Sequence, residues 1–318
     1  MATDVRTVHI ILPDDDQLEV IVQPKLYTYE LLNLVSSHKA LKEKNYFGLS
    51  YRDESGHYQW LQLERRVFDH DYPKKIGLIT LYFAVKFYVE NILTLPEIPT
   101  ILMYYLQSRQ SIYKGLLETD SETIFELSAY ILQITCGNLT SESECRQHIK
   151  QFSLSRKILE EYPSLTYCED QIIGFYRKLA GHTFGTALIN YMSIVESLPT
   201  YGVHYYAIKD KVGVPWWLGI SGKGLMVFDI LDKKIPRKFY PWASLENLYF
   251  RDKKFIIEVL EASNVSSNNN NNSNLEIVVH TWLATSTQLA RSIWMMAVNQ
   301  HQFYLDRKHF KVNVLLLL

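Results

Sequence analysis

The chain has 318 residues, 47% of them hydrophobic and 21% charged, with 22 tyrosines and 14 phenylalanines. That is enough for two or three compact units with cores of their own, and the composition excludes a disordered chain. A formal net charge of -1 argues against bulk attraction to nucleic acid, so any electrostatic partner must meet a local patch.

The N-terminal run MATDVRTVHIIL enters a strand-like segment with no basic-then-apolar leader, so no secretory signal is expected. Period-two alternation at Leu18, Val20 and Val22 follows the acidic turn PDDD. Thr28 is placed to cap a helix carrying Leu31, Leu32 and Val35 on one side. The segment YFGLSYRDESGHYQWLQL reads as a hairpin turning at Ser55-Gly56, and LITLYFAVKFY as a further strand. Residues 1–91 thus predict a small α+β roll of the ubiquitin kind. LPEIP marks a boundary at 95–99. From 97 to 200 the apolar period becomes helical. Thr119 and Glu122 form a candidate capping box, Ile124, Leu127, Ile131 and Ile134 recur on one face, and Gly137 is a stop. This segment predicts an all-helical bundle.

After Pro199 the period switches to two, and six or seven short strands are expected before a helix opened by Ser286 or Thr287. Leu289, Ile293, Met296 and Gln300 share one face of that helix. Residues 203–307 therefore predict a PH- or PTB-like sandwich with a C-terminal helix. Within it, residues 263–274 (SNVSSNNNNNSN) are a polar tract expected to be a disordered loop. Residues 308–318 form an apolar tail with no assigned role. No apolar stretch reaches the roughly 20 residues a membrane-spanning helix needs.

WWLGISGKGLMVF resembles a phosphate loop at first glance. A Walker loop requires Ser or Thr after Gly-Lys at the start of a helix, whereas Lys223 precedes Gly224 and then a strand. The glycines are read as a hairpin turn. No zinc, hydrolase-elbow or kinase motif occurs. Residue six after each of Cys136, Cys145 and Cys168 is Glu142, Gln151 or Gly174, which excludes a Cys-x5-Arg phosphatase loop. The three widely spaced cysteines fit reduced thiols. Neither a catalytic site, a metal site nor a cofactor is expected. Basic residues do cluster: seven Lys/Arg against two acids lie between Lys233 and Lys254, and Arg65, Arg66, Lys74 and Lys75 form a second group. Each group reads either as an ordinary solvated surface or as half of a cationic face for an anionic leaflet.

The order of roll, bundle and sandwich resembles the FERM domain of the band 4.1 and ezrin superfamily. WLQLERRVFDH is similar to its first signature at Trp60, Leu61, Arg65, Val67 and His70, and Phe87 to Asn91 resembles that signature's end. Tyr176, Thr186, Ala187, Tyr191, Met192, Val195, Leu198, Tyr201 and Gly202 match a second, with His204 as a departure. The resemblance implies an α+β, three-lobed cloverleaf: ubiquitin-like roll, acyl-CoA-binding-protein-like bundle, and PH/PTB-like sandwich. It further implies a non-enzymatic cytoplasmic adaptor, peripheral at the plasma membrane, that links phosphoinositides and receptor tails to cortical cytoskeleton, junction and polarity partners. Two alternatives stay open: a targeting module of a longer enzyme, and a dedicated lipid-binding module. Within the family, VQPKL, EKNYFGLSYRDESGH and QHQFYLDRK look closest to junction-linked scaffolds that bind cytohesin-type exchange factors. Those links run largely through coiled-coil sequence beyond the FERM domain, which this chain lacks, so the resemblance allows cytohesin-type exchange factors as partners but does not by itself imply them here.

By resemblance, phosphoinositide would be held by Arg65, Arg66, Lys253 and Lys254. Main-chain pairing of an extended peptide would use a groove between strand ENLYFRD and the last helix, lined by Asn247, Tyr249, Ile293, Met296 and Gln300. Ile293 and Met296 have a second reading, as core residues of that helix.

Overall fold

The computed structural model describes residues 5–73, 77–152, 156–162, 164–262 and 275–316. The polar tract 263–274 and Lys74-Lys75 lie outside them. The chain divides into two compact units, Met1–Tyr201 and Gly202–Leu318.

The first unit opens with strands β1 (Arg6–Ile11) and β2 (Gln17–Val22), helix α1 (Thr28–His38), and strands β3 (Phe47–Arg52), β4 (Tyr58–Trp60) and β5 (Ile79–Val85). They form one sheet in the order β2-β1-β5-β3-β4, in which β1 and β5 are parallel. Alternation puts Val8, Ile10, Leu81 and Phe83 inward, where Leu31 and Val35 of α1 meet them. The cap of α1 differs from the reading of Thr28. Tyr27 stands at the N-cap, and the Glu30 carboxylate accepts its N–H at 2.8 Å. The Thr28 hydroxyl instead donates to the Arg65 carbonyl at 3.0 Å. A tertiary partner 37 residues away has taken the side chain that local logic assigned to the cap.

Gly48 on β3 lies under the Trp60 ring. A Cβ there would stand 2.8 Å from that ring and 3.2 Å from Lys86 Cδ. Lys86 is only 9% exposed, with its ammonium 5.9 Å from the Trp60 ring centre and 5.2 Å from that of Phe87. Burial lowers its pKa from 10.5 to about 8, against a smaller opposing pull from Glu64.

Helices α2 (Ile98–Tyr113), α3 (Ser121–Cys136), α4 (Glu142–Phe152), α5 (Arg156–Glu161), α6 (Leu165–Lys178) and α7 (Phe184–Ser197) complete this unit. The cap of α3 is Asp120, which accepts the Thr123 N–H at 2.8 Å, not the box of Thr119 and Glu122. Gly137 does end α3, at φ 74. The bundle and the roll share one core. Tyr104 donates to the Phe87 carbonyl at 2.6 Å, and the Ile92 N–H donates to Glu196 at 2.6 Å.

The second unit contains β6 (His204–Lys209), β7 (Pro215–Ser221), β8 (Gly224–Asp229), β9 (Asp232–Pro241), β10 (Leu245–Arg251), β11 (Lys254–Ala262), β12 (Leu275–Leu283) and α8 (Thr287–Leu316). Neighbours in the sheet run β10-β11-β12-β6-β7-β8-β9. β12 touches β6 only at Leu283 opposite Lys209, so the sheet turns a corner there into two layers. Trp242, Phe255, Ile257, Leu218 and Leu225 fill the interior. α8 runs through most of the segment read as a separate tail.

Gly222-Lys223 is the two-residue turn between β7 and β8, where Ser221 lies opposite Gly224. Gly224 has φ 152, and a Cβ on it would meet the Tyr240 carbonyl oxygen at 2.2 Å and Pro241 Cα at 2.9 Å. The glycine is there so that β9 can pass close by.

Candidate functional site

Among the described residues β10 is an edge strand, paired only with β11, and α8 packs along it. Ser286 starts this helix by accepting the Leu289 N–H at 3.0 Å. Its apolar stripe then meets the sheet: Leu289 is 1% exposed, Ile293 0%, Met296 2% and Gln300 1%. This corrects the groove assignment for Ile293, Met296 and Gln300. They are core residues, because the stripe spaced for a groove is the same stripe that anchors the helix.

The helix residue at the strand edge is Trp294, which the sequence reading missed. Its indole Nε1 donates to the Leu248 carbonyl at 3.2 Å, and its ring centre lies 5.4 Å from that of Phe250. The Leu248 N–H donates to Oδ1 of Asn247 at 2.9 Å. Both backbone groups of Leu248 are therefore bonded to side chains. They face away from β11, as alternation in an antiparallel ladder requires. Asn247 and Tyr249 are exposed on the strand, where the sequence reading put them. Desolvation and the Glu258 carboxylate raise the Tyr249 phenol's pKa, so the hydroxyl keeps its proton at neutral pH. A signal for Trp294 existed: a half-buried tryptophan beside an apolar stripe needs an acceptor for its N–H.

The basic pairs belong to different units. In the first, Thr28 binds the Arg65 carbonyl through both its N–H and its hydroxyl. The Arg65 guanidinium donates to the Asp69 carbonyl. Arg66 is exposed, with its guanidinium 6.0 Å from the Tyr27 ring centre. His70 organises the loop between them. Its Nε2 accepts the Gln62 N–H at 2.9 Å while Nδ1 faces the Val67 carbonyl at 3.1 Å. Burial lowers the pKa of His70, so the neutral ring with Nδ1 protonated fits both contacts. In the second unit, Lys253 and Lys254 are exposed at the β10–β11 turn, next to exposed Arg251. Glu261 is at the other end of β11 and pairs with His280 at 2.9 Å, so it does not oppose the lysine pair locally.

Among the described residues, no group of three or more His, Cys, Asp or Glu could hold a metal ion, and no helix is long and apolar enough to cross a membrane. Cys136 Sγ lies 3.3 Å from His148 Nδ1. Burial raises the thiol's pKa, the reverse of what an activated nucleophile needs.

Family models match three consecutive segments: a FERM N-terminal domain over residues 10–72, a FERM central domain over 92–206, and a FERM C-terminal PH-like domain over 210–311. Among solved structures, the FERM and C-terminal domain complex of Drosophila Merlin is similar at TM-score 0.82 and 24% identity, over 96% of this chain and 98% of that one. The Dictyostelium discoideum myosin VII MyTH4-FERM MF2 domain gives 0.72 and 17%, covering 92% of this chain and 58% of that one. The human myosin 7b C-terminal MyTH4-FERM domain, in complex with the harmonin-a PDZ3 domain, gives 0.64 and 14%, covering 95% and 60%. At these identities the likeness to solved structures is one of fold.

Proposed function

The chain belongs to the FERM family, with the N-terminal, central and C-terminal PH-like domains in order, and from that premise we propose that it acts as a bivalent adaptor. FERM domains are typically membrane–cytoskeleton linkers and protein-binding modules, and no enzymatic family or fold is indicated for this chain. One contact is with phosphoinositide-bearing membrane through Arg65, Arg66, Lys253 and Lys254. The other is with an extended segment of a receptor tail, or of a junction or polarity scaffold, laid along β10. Each contact is weak alone, and together they reinforce each other through effective concentration. This places the protein peripherally at the plasma membrane and cell cortex.

The observation that carries the reading is β10 itself, an edge strand whose outward backbone at Leu248 meets side chains instead of a neighbouring strand. Unpaired sheet edges are where extended peptides add, and at Leu248 an incoming strand would displace Asn247 and Trp294 from the backbone. The protein partners present with two of the similar structures, a C-terminal domain and a PDZ domain, support a protein-binding role.

Two measurements test the two contacts. A variant with Glu at Arg65, Arg66, Lys253 and Lys254 is expected to lose sedimentation with phosphoinositide-containing vesicles at low salt. Wild-type binding should weaken as salt rises, because the screening length falls to about 8 Å at physiological ionic strength. Equal sedimentation of both proteins at low salt removes the lipid contact and leaves a protein-only adaptor. For the peptide contact, Tyr249→Glu is expected to abolish pull-down by juxtamembrane tail peptides while the protein stays folded, its melting temperature lowered only slightly by the new carboxylate beside Glu258. Retained pull-down by the folded variant would refute the β10 site.

A further inference from the structure

A cleft of about 320 Å³ lies where the β1–β2 turn meets helices α2, α3 and α7, all within the first unit. Its walls are apolar. Leu106 and Ile112 come from α2, and Ile124, Leu127 and Ile131 from α3. The α3 positions are spaced three and four residues apart, so one edge of that helix faces the cleft along its length. Tyr191 of α7 lies at the floor and is 0% exposed.

The Tyr191 hydroxyl has no hydrogen-bond partner among the described residues, although it is buried. Burial first, and Tyr105 second, raise its pKa, so at neutral pH it is a phenol with a proton to donate. The Tyr105 ring stands edge-on to the Tyr191 ring with centres 4.9 Å apart, which packs the floor without supplying an acceptor. A buried donor left unmatched carries its desolvation cost in full. Here that cost falls beneath a cleft, where an acceptor brought by a ligand removes it.

Charge at the cleft is divided between its two ends. The lining carries two acids, Asp14 and Asp15, and one cation, Arg109. Both acids lie on the exposed β1–β2 turn. Lys39 pairs with Asp14 Oδ2 at 2.9 Å, and Gln110 Nε2 donates to Asp15 Oδ1 at 2.8 Å. Arg109 is half-buried on α2, and no carboxylate pairs with it among the described residues. Its charge opposes the rise that burial gives the Tyr191 and Tyr105 phenols, and neither aspartate acts on them. The inner end is therefore positive and donor-rich, while the acids stand at the outer lip, where water and salt screen them.

We propose that this cleft binds a small, soluble monocarboxylate with a compact apolar body, such as an arylalkanoate. The carboxylate sits at the inner end, accepting from the Tyr191 hydroxyl and from Arg109, and the body lies between the apolar edges of α2 and α3. Charge complementarity selects the head group. A hydrocarbon leaves Tyr191 unmatched, and a cation meets Arg109 with the same sign, whereas a carboxylate answers both. The volume is near the small end for ligand pockets, which favours a body of one ring over a long chain. The site shares no residue with β10 or with the basic pairs, so it stands or falls apart from the adaptor reading.

The experiment is calorimetric titration of the full chain with 3-phenylpropanoate, 3-phenylpropan-1-ol and 3-phenylpropylammonium, which share one apolar body and differ in the head. Wild type is expected to bind the carboxylate about tenfold more tightly than the alcohol, and the ammonium least. Tyr191→Phe deletes only the unmatched hydroxyl, so it should unfold no earlier than wild type yet bind the carboxylate about tenfold more weakly. Arg109→Gln, at a half-buried position, should weaken the carboxylate by a similar factor and leave the alcohol unchanged. Unaltered carboxylate affinity in either variant overturns the inference. So does a wild type that shows no saturable carboxylate binding, or one that binds the alcohol or the ammonium as tightly.

Discussion

Gly224→Ala is expected to destabilise the second unit by roughly 3–5 kcal/mol, near the upper end for a single substitution. The new methyl would stand 2.2 Å from the Tyr240 carbonyl oxygen and 2.9 Å from Pro241 Cα, both backbone atoms of β9. Backbone cannot swing aside as a side-chain end can, so β8 and β9 must separate, and Tyr240, itself buried, moves with them. The positive φ adds strain that a side chain does not relieve. Gly213→Ala is the control. It also sits at positive φ, 93, but a Cβ there meets nothing within 4 Å, so only the conformational part, about 1 kcal/mol, should appear. Denaturant unfolding followed by tryptophan fluorescence would compare them. Equal losses at both glycines would mean that the close passage of β9 is not what fixes Gly224.

The second large effect concerns Lys86 and has a definite sign in pH. In the unfolded chain this lysine keeps its proton up to 10.5, whereas in the fold it loses it near 8. Between those values the unfolded state binds more protons, so stability must rise with pH across that window. Below pH 8 the fold carries the full penalty of a buried ammonium, about 3 kcal/mol before the contacts with Trp60 and Phe87 are considered. Lys86→Met should therefore be more stable than wild type at pH 7 by about 2–3 kcal/mol, and the advantage should shrink by pH 10.5. The comparison must be a difference between the two proteins. Buried tyrosines such as Tyr88 and Tyr206, whose pKa values burial raises, lower the stability of both alike above pH 10. A difference that does not change between pH 7 and 10.5 would show that Lys86 is not held in a charge-averse site.

Much of this fold could be read without coordinates, because the signals were local. Hairpin glycines, the switch of period after Pro199 and the stop at Gly137 each depend on a few neighbouring residues. The failures came where a distant partner decided the outcome. Thr28 looks like a cap until Arg65 takes its hydroxyl, and nothing in the sequence reveals that contact. In α8, periodicity identified the stripe through Ile293, Met296 and Gln300 but not the surface that would receive it. A stripe facing a core and a stripe facing a groove have the same spacing. Trp294, one position further round the helix, became visible only when the axial rotation of α8 was known.

The bonds at Leu248 also bear on how fast, and how tightly, anything can join β10. Asn247 and Trp294 keep the strand's outward N–H and C=O occupied, so an incoming chain meets a closed edge for most of the time. Opening both hydrogen bonds costs about 2 kcal/mol net, which leaves the binding-competent form populated roughly one time in thirty. Observed affinity then falls by that same factor, and association slows with it, even when every contact in the final complex is favourable. Side chains elsewhere that bias Trp294 away from the strand would speed capture without touching the captured segment. Under the adaptor reading proposed above, the edge would act as a threshold: brief encounters would meet a closed strand, and a partner already held nearby would have time to find it open.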